Sequence, residues 1–357
     1  MFAKSRAANH FWFFRDRRRS LLQNAASRLP LSHSVILSIT RWHLLYSKAH
    51  PLSRDNQHTS VPFLSPLISQ AYFLASRLQR RPSIRIAFVV IALVAAAAVV
   101  IGDFVRSAAA RRLREAILAE LQPVALKNCT LKRFGSANDG GYLMCENLIE
   151  PLDAAYSYGV GSNDDWGCEV SRRYHVPVHQ YDCFDPARPT CNGGTFVFHN
   201  ECLGERTGYR ESRFFDRLEN QIRRNGDTGR RLIIKMDIEG GEWDSLLAAP
   251  DELLASIPQI TMEMHGFNDA KIVEVLRKMK RNFYLVNLHF NNWSCTPKAA
   301  PLPAWAYQVH WVNKRIGVLD PAGPFPAPMS PLNAPDSPTW PDCQLRTPRL
   351  AARHEFY

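Results

Sequence analysis

Leu232-Ile-Ile-Lys-Met-Asp-Ile-Glu-Gly-Gly-Glu-Trp243 runs from a strand-like apolar start into a cluster of charges within twelve residues. Leu232, Ile233 and Ile234 read as an inner strand of a parallel sheet, which is buried on both faces and therefore continuously apolar. Lys235, Asp237, Glu239 and Glu242 follow at its carboxyl end, where open α/β sheets hold their ligands. Carboxylates beside a core are costly unless they meet a cation, a donor or a substrate. The competing reading is a strand that stops in a solvated acidic turn, its acids capping the next helix.

The surroundings of this stretch have the same texture. Strands are predicted over Ala154–Val160, Val176–Cys183, Gly194–His199, Leu232–Asp237, Ile257–Met264, Tyr284–Leu288 and Ala306–Val312. A helix is predicted over Ser212–Arg224, with Phe214, Phe215, Leu218 and Ile222 on one face and Gly226 as its stop. A second is predicted over Asp269–Lys280, with Ile272, Val273, Leu276 and Met279 on one face and Asn268 or Asp269 as cap. Strands alternating with helices imply a doubly wound, mostly parallel sheet.

Two further strand ends carry chemistry. Ala154–Tyr158 leads into Gly159-Val-Gly161, where glycine lets backbone come close to a nucleotide or simply makes a turn. The third glycine of a dinucleotide fingerprint falls at Asp164, and a carboxylate there repels a pyrophosphate, so NAD and FAD fit poorly. The next strand ends at Asp182, 23 residues after Gly159. One carboxylate there matches the two hydroxyls of a ribose, or else closes an Asx turn or caps a helix. A Gly turn and an acid at adjacent strand ends together favour a nucleoside ligand.

The order Tyr158-Gly-Val-Gly161, Gln180-Tyr-Asp-Cys-Phe184 and Ile234-Lys-Met-Asp-Ile-Glu-Gly-Gly-Glu-Trp243 resembles the FkbM-type methyltransferases and their methyltransferase-like relatives. Lys132-Arg-Phe-Gly-Ser-Ala-Asn-Asp-Gly-Gly-Tyr142 resembles a further segment of that group, and the likeness covers about residues 127–315. The Lys-x-Asp-x-Glu-Gly-x-Glu pattern is its most specific part. The resemblance implies a class I, Rossmann-like methyltransferase fold of seven strands with one antiparallel, and S-adenosylmethionine as cofactor. It assigns Gly159 and Gly161 to the methionine and ribose portion, Asp182 to the ribose, and Asp237 to a place beside the transferring methyl. Ser157 and Asn163 depart from the family's first motif, where an acid and a glycine are common. Asp139, Asp164 and Asp165 are the candidates to hold the methionine amine instead.

Methyl transfer is an in-line displacement that needs alignment and, for an oxygen nucleophile, a base. Asp237, Glu239 and His265 are the candidate bases, His265 because it follows the buried run Ile260–Met264. Glu242 reads as a first-turn acid of the following helix. The expected reaction is O-methylation of a hydroxylated small molecule or glycan. Two rivals stand beside it. A metal-dependent glycosyltransferase would use Asp237-x-Glu239 as a metal-binding pair; a domain that has lost activity would explain Ser157 and Asn163. The methyltransferase reading assigns no metal ligand. Acceptor loops are expected at 186–195 and 289–304, with Phe290, Trp293 and Trp305 available to stack or to fill the core.

The rest of the 357-residue chain frames this domain. Residues 1–85 hold 14 Lys/Arg against Asp16 and Asp55, so the chain's net charge of +11 resides in this arm and the remainder is nearly neutral. A nucleic-acid-binding core needs its own basic face, and none is expected here. The arm is Arg-rich and acid-poor, as organellar transit peptides also are, and no Met occurs between Met1 and Met144. Ile86–Gly102 is 17 residues without a charge, roughly 26 Å of helix, and reads as a single membrane span with the N-terminus cytoplasmic. The expected organisation is a basic arm (1–85), a span (86–102), a helical linker (103–126), the catalytic domain (127–316) and an irregular Pro-rich tail (317–357). All eight cysteines follow residue 128, which suits disulfides in an oxidising compartment or buried thiols in the cytosol. Two sequons, at Asn128 and Asn292, are as many as chance gives.

Overall fold

The computed structural model describes residues 82–343; nearly all of the basic arm and residues 344–357 lie outside the described part. The chain forms two compact units, Met1–Val94 and Ala95–Tyr357. In the first, the described residues are helical. Helix α1 (Pro82–Glu120) contains a segment, within Leu93–Glu120, long and apolar enough to cross a membrane. Its side chains Val94, Val99, Ile101, Phe104 and Val105 are exposed. The stretch expected as a linker belongs to the same helix. Its last turns enter the domain: Ile117, Leu118 and Leu121 are buried in the main core, and Glu120 pairs with Arg277 and Lys280.

The domain is an α/β fold around a seven-stranded sheet. Its strands are β3 (Ala154–Tyr158), β4 (Pro177–Tyr181), β5 (Thr195–His199), β9 (Leu232–Met236), β10 (Gln259–His265), β11 (Phe283–Phe290) and β12 (Ala306–Asn313). All seven coincide with the strands predicted from sequence, within a few residues at their ends. In space the order is β11-β12-β10-β9-β3-β4-β5, and β12 alone runs against its neighbours. Alternation along the strands divides the core. Ala155, Val178 and Ile233 face Trp166 and Val170 of helix α2 (Asp165–Tyr174). Ala154, Tyr156 and Ile234 face helices α3 (Leu218–Arg224), α4 (Glu242–Ala248), α5 (Asp251–Ser256) and α6 (Ala270–Asn282). Asp269 caps α6, its side chain accepting from the Lys271 N–H at 2.9 Å. The chain moves outward from β3 through β5, then returns on the other side of β3 with β9. The carboxyl ends of β3 and β9 therefore flank a topological switch point.

One predicted helix is corrected. Within Ser212–Arg224, residues Arg213–Asp216 form a strand, β8, between β6 (Cys202–Leu203) and β7 (Gly208–Arg210), and α3 begins only at Leu218. The apolar spacing fits both periods. Cross-strand contacts decide it: Tyr209 stands opposite Phe214, and the Arg210 guanidinium lies 4.6 Å over the Phe215 ring.

A hairpin, β1 (Leu131–Gly135) with β2 (Gly141–Cys145), covers one face and carries Tyr142 to the carboxyl edge. The Pro-rich segment after Gly317 has no strand or helix up to residue 343, yet it is packed as a strap. Asn292 bonds Ser337 and the Trp340 carbonyl, Gln308 bonds Asp336, and Asn287 bonds Asn333. All eight cysteines are paired, as Cys129–Cys145, Cys168–Cys191, Cys183–Cys202 and Cys295–Cys343.

Candidate active site at the switch point

The turn after β9 is held by the turn after β3. Gly159 has a φ of 71°, and a Cβ there would lie 1.7 Å from the Asp237 carbonyl oxygen. The glycine is required by two strand ends meeting, a reason that spacing in the sequence does not show. Lys235, buried, donates to the Gly159 carbonyl at 2.7 Å and lies 3.7 Å from Asp237 Oδ2. Asp237 N–H donates to the Tyr158 carbonyl.

Asp182 bonds the other side of the same loop. Its Oδ2 accepts the Gly161 N–H at 2.8 Å, and its Oδ1 accepts those of Phe184 and Asp185. A carboxylate has about four acceptor positions, so one remains for a ligand hydroxyl. Asp164 is buried and turned to the fold: it caps α2 through Gly167 N–H and accepts from Ser157 and Gln180. This accounts for one of the two departures in the motif: Ser157 bonds Asp164, which serves the fold. Asp165 accepts from Ser136. Of the three acids named for an amine, Asp139 acts electrostatically on Tyr142 and Asp336.

Asp237, Glu239 and His265 converge. His265 Nε2 lies 3.8 Å from Asp237 Oδ1, 3.8 Å from Glu239 Oε2 and 3.7 Å from Glu263 Oε1. The Tyr142 hydroxyl donates to Asp237 Oδ2 at 3.1 Å. Glu239 has a φ of 57°, a left-handed conformation that costs a non-glycine residue about 1 kcal/mol or more and turns its carboxylate toward His265. Thus all six residues singled out from sequence (Gly159, Gly161, Asp182, Asp237, Glu239 and His265) lie along one carboxyl edge. No family model, curated protein or solved structure matches the chain.

Glu242 does more than the first turn of a helix asks of it. It is fully buried, accepts the N–H groups of Ile238 and Gly240, and holds His265 Nδ1 at 2.9 Å. It fixes both the acidic turn and the imidazole. Burial lowers the pKa of His265, but Glu242, Glu263 and Asp237 outweigh it and raise the group to about 10. Burial and Asp237 push the Glu263 carboxyl well up, and Asn291 bonds it at 2.7 Å. Tyr142 is held neutral as a donor, chiefly by burial. Asp336, from the strap, is raised to about 7 by burial and by Asp139.

Three residues were not found from sequence: Tyr142 as a partner of Asp237, Glu242 as the support of His265, and Glu263 beside them. Glu242 left a signal as an acid in the quoted motif, and Tyr142 and Glu263 lay within quoted stretches without a sign of their partners. Of the expected aromatics, Phe290 is core, Trp293 packs on Trp340, and Trp305, partly exposed, stands 6.0 Å from the His265 ring as one wall of the site.

Proposed function

We propose that this chain is an S-adenosylmethionine-dependent methyltransferase of the class I type, acting on oxygen in a hydroxylated small molecule or glycan. The observation that carries this is the meeting of the Gly159–Gly161 turn, Asp182 and Asp237 at the switch point of a seven-stranded sheet in which β12 alone is reversed. The donor set suits the cofactor: Asp237 and Glu239 favour a cationic sulfonium and disfavour a pyrophosphate. Asp182 keeps an acceptor for a ribose hydroxyl, and Gly159 with Gly161 would line the same ligand. The bound cofactor supplies an electrophilic methyl group. The chain's own work is to position and deprotonate the acceptor. Asp237, steadied by Tyr142 and Lys235, takes the hydroxyl proton; Trp305 and the 289–304 loop wall off water.

The domain works on the oxidising side of a membrane, tethered by α1. Four disulfides, all beyond the apolar segment, support this placement. Denatured, unreduced protein should then offer no thiol to a maleimide; several labelled thiols would refute it.

The full-length protein in detergent should bind S-adenosylhomocysteine in a calorimetric titration, and no binding would defeat the methyltransferase reading. A second reading, a metal-dependent glycosyltransferase, is favoured by one observation: donor atoms of Asp237, Glu239 and His265 all lie within 4.8 Å of one another. Binding of a sugar nucleotide with Mn²⁺, and none of S-adenosylhomocysteine, would select it.

A further inference from the structure

We propose that Asp237, Glu239 and His265 bind one first-row divalent cation of the Mn²⁺ type. The site stands whichever group the enzyme transfers.

The spacing supports it. An ion about 2.1 Å from each donor spans donor pairs of roughly 3 to 4.2 Å. His265 Nε2 is 3.8 Å from the nearest oxygens of both Asp237 and Glu239. All three donor atoms lie within 4.8 Å of one another, so a closure of about half an ångström brings them onto one ion.

A second observation is independent of the acids. The His265 side chain is 8% exposed. Its Nδ1 edge is tied to the buried Glu242 carboxylate, which turns Nε2 into the site. Nε2 meets three carboxylates at 3.7–3.8 Å and none at hydrogen-bond distance. An imidazole anchored through one nitrogen by a carboxylate, with the other nitrogen presented to further ligands, is how metal-binding histidines are held, and an ion bound there would release to solvent the proton that the acids otherwise favour on Nε2. Glu242 is itself anchored by two backbone N–H groups, so the support is rigid.

Charge and donor type narrow the ion. Asp237, Glu239, Glu242 and Glu263 share the edge with Lys235, whose ammonium is bonded to the Tyr158 and Gly159 carbonyls. Two hard carboxylates with one imidazole suit Mn²⁺ better than the all-oxygen shells of Mg²⁺ and Ca²⁺. The Glu239 side chain is 57% exposed, which leaves a solvent route for the ion and open positions for an acceptor oxygen. There the ion would polarise and orient the acceptor hydroxyl next to Asp237.

The test uses full-length protein in detergent, stripped with EDTA and titrated with MnCl₂, with free Mn²⁺ read by electron paramagnetic resonance. One ion per chain is expected, with nitrogen coupling in the pulsed spectrum. Glu239→Gln, an exposed change that leaves the fold intact, should weaken binding at least about tenfold. His265→Gln should remove the nitrogen coupling. No bound Mn²⁺, or binding unchanged in Glu239→Gln, overturns the proposal. A parallel titration with S-adenosylhomocysteine separates the two readings. Mn²⁺ bound without it leaves the metal site standing and removes methyl transfer. S-adenosylhomocysteine bound with no Mn²⁺ does the reverse.

Discussion

Two histidine clusters lie in this domain; burial lowers the pKa in both, and only in one do neighbouring acids outweigh it. In one, His265 sits among Glu242, Asp237, Glu239 and Glu263 and is raised to about 10. In the other, His179 and His199 touch at 3.2 Å beside the stacked rings of Tyr156, Tyr158 and Tyr181, and His199 is lowered to about 4 by burial and by His179. The second cluster also holds a buried acid, Asp227, 3.3 Å from His179. That acid is already engaged: Tyr156 donates to it at 2.7 Å and Arg230 pairs with it at 3.0 Å. An internally satisfied network of this kind holds the fold. The cluster around His265 concentrates acids beyond its cations, and that imbalance is what makes it the candidate ligand site.

The contrast can be broken by substitution. The largest effect should come from Asp237→Asn, which should lower methyl transfer by about 10²–10⁴ while leaving S-adenosylhomocysteine affinity within a few-fold. Asp227→Asn should leave turnover intact and lower stability by about 1–3 kcal/mol. Equal turnover in the Asp237 variant would end the distinction.

Next is Gly159→Ala. Its Cβ would meet the Asp237 carbonyl at 1.7 Å in a backbone already at positive φ. A loss of about 3 kcal/mol or more, seen as a fall in thermal midpoint, should follow. A midpoint within a degree of wild type would show that the two strand ends do not meet there.

One part of the pH dependence, between about pH 4 and 6.5, should come from the other cluster. An imidazole near 4 when folded and near 6.5 when unfolded binds fewer protons in the folded chain. Its contribution is therefore complete above pH 6.5 and lost as pH falls toward 4. Half-exposure and screening reduce this to about 1–2 kcal/mol. His199→Phe, which keeps the stack on Tyr181, should flatten urea midpoints over that window. An unchanged slope would place the effect elsewhere.

The smallest change expected is a gain. Glu239→Gly relieves the left-handed backbone and should stabilise the protein by about 0.5–1 kcal/mol, even as it removes a carboxylate from the site. A loss of stability would mean that Glu239 supports the fold rather than strains it.

The sheet was legible because each of its seven strands is an apolar or alternating run of its own. The strand ends were legible too, since Gly159, Asp182, Asp237 and His265 each follow such a run. What bound them together was not. Glu242 meets His265 across 23 residues, and Tyr142 reaches Asp237 across 95. No local period encodes contacts at that range. Phe214 and Phe215 satisfied a helical spacing with Leu218 and Ile222, and only their cross-strand partners made Arg213–Asp216 a strand. The reason for Gly159 was also hidden: the atom that excludes a side chain belongs to a residue 78 positions later.

The strap over residues 318–343 sets a condition on when the site can exist. Pro335 and Asp336 are among the last described residues of the chain, yet their carbonyls accept from Asn138 Nδ2 and the Asp139 N–H in the turn beside Tyr142. A nascent chain that has emerged only to Gly317 has all seven sheet strands but leaves Asn292 and Gln308 without these partners and Cys295 without Cys343. The carboxyl edge is thus finished only once the strap docks, and a chain lacking residues 318–343 would carry the sheet without the completed site.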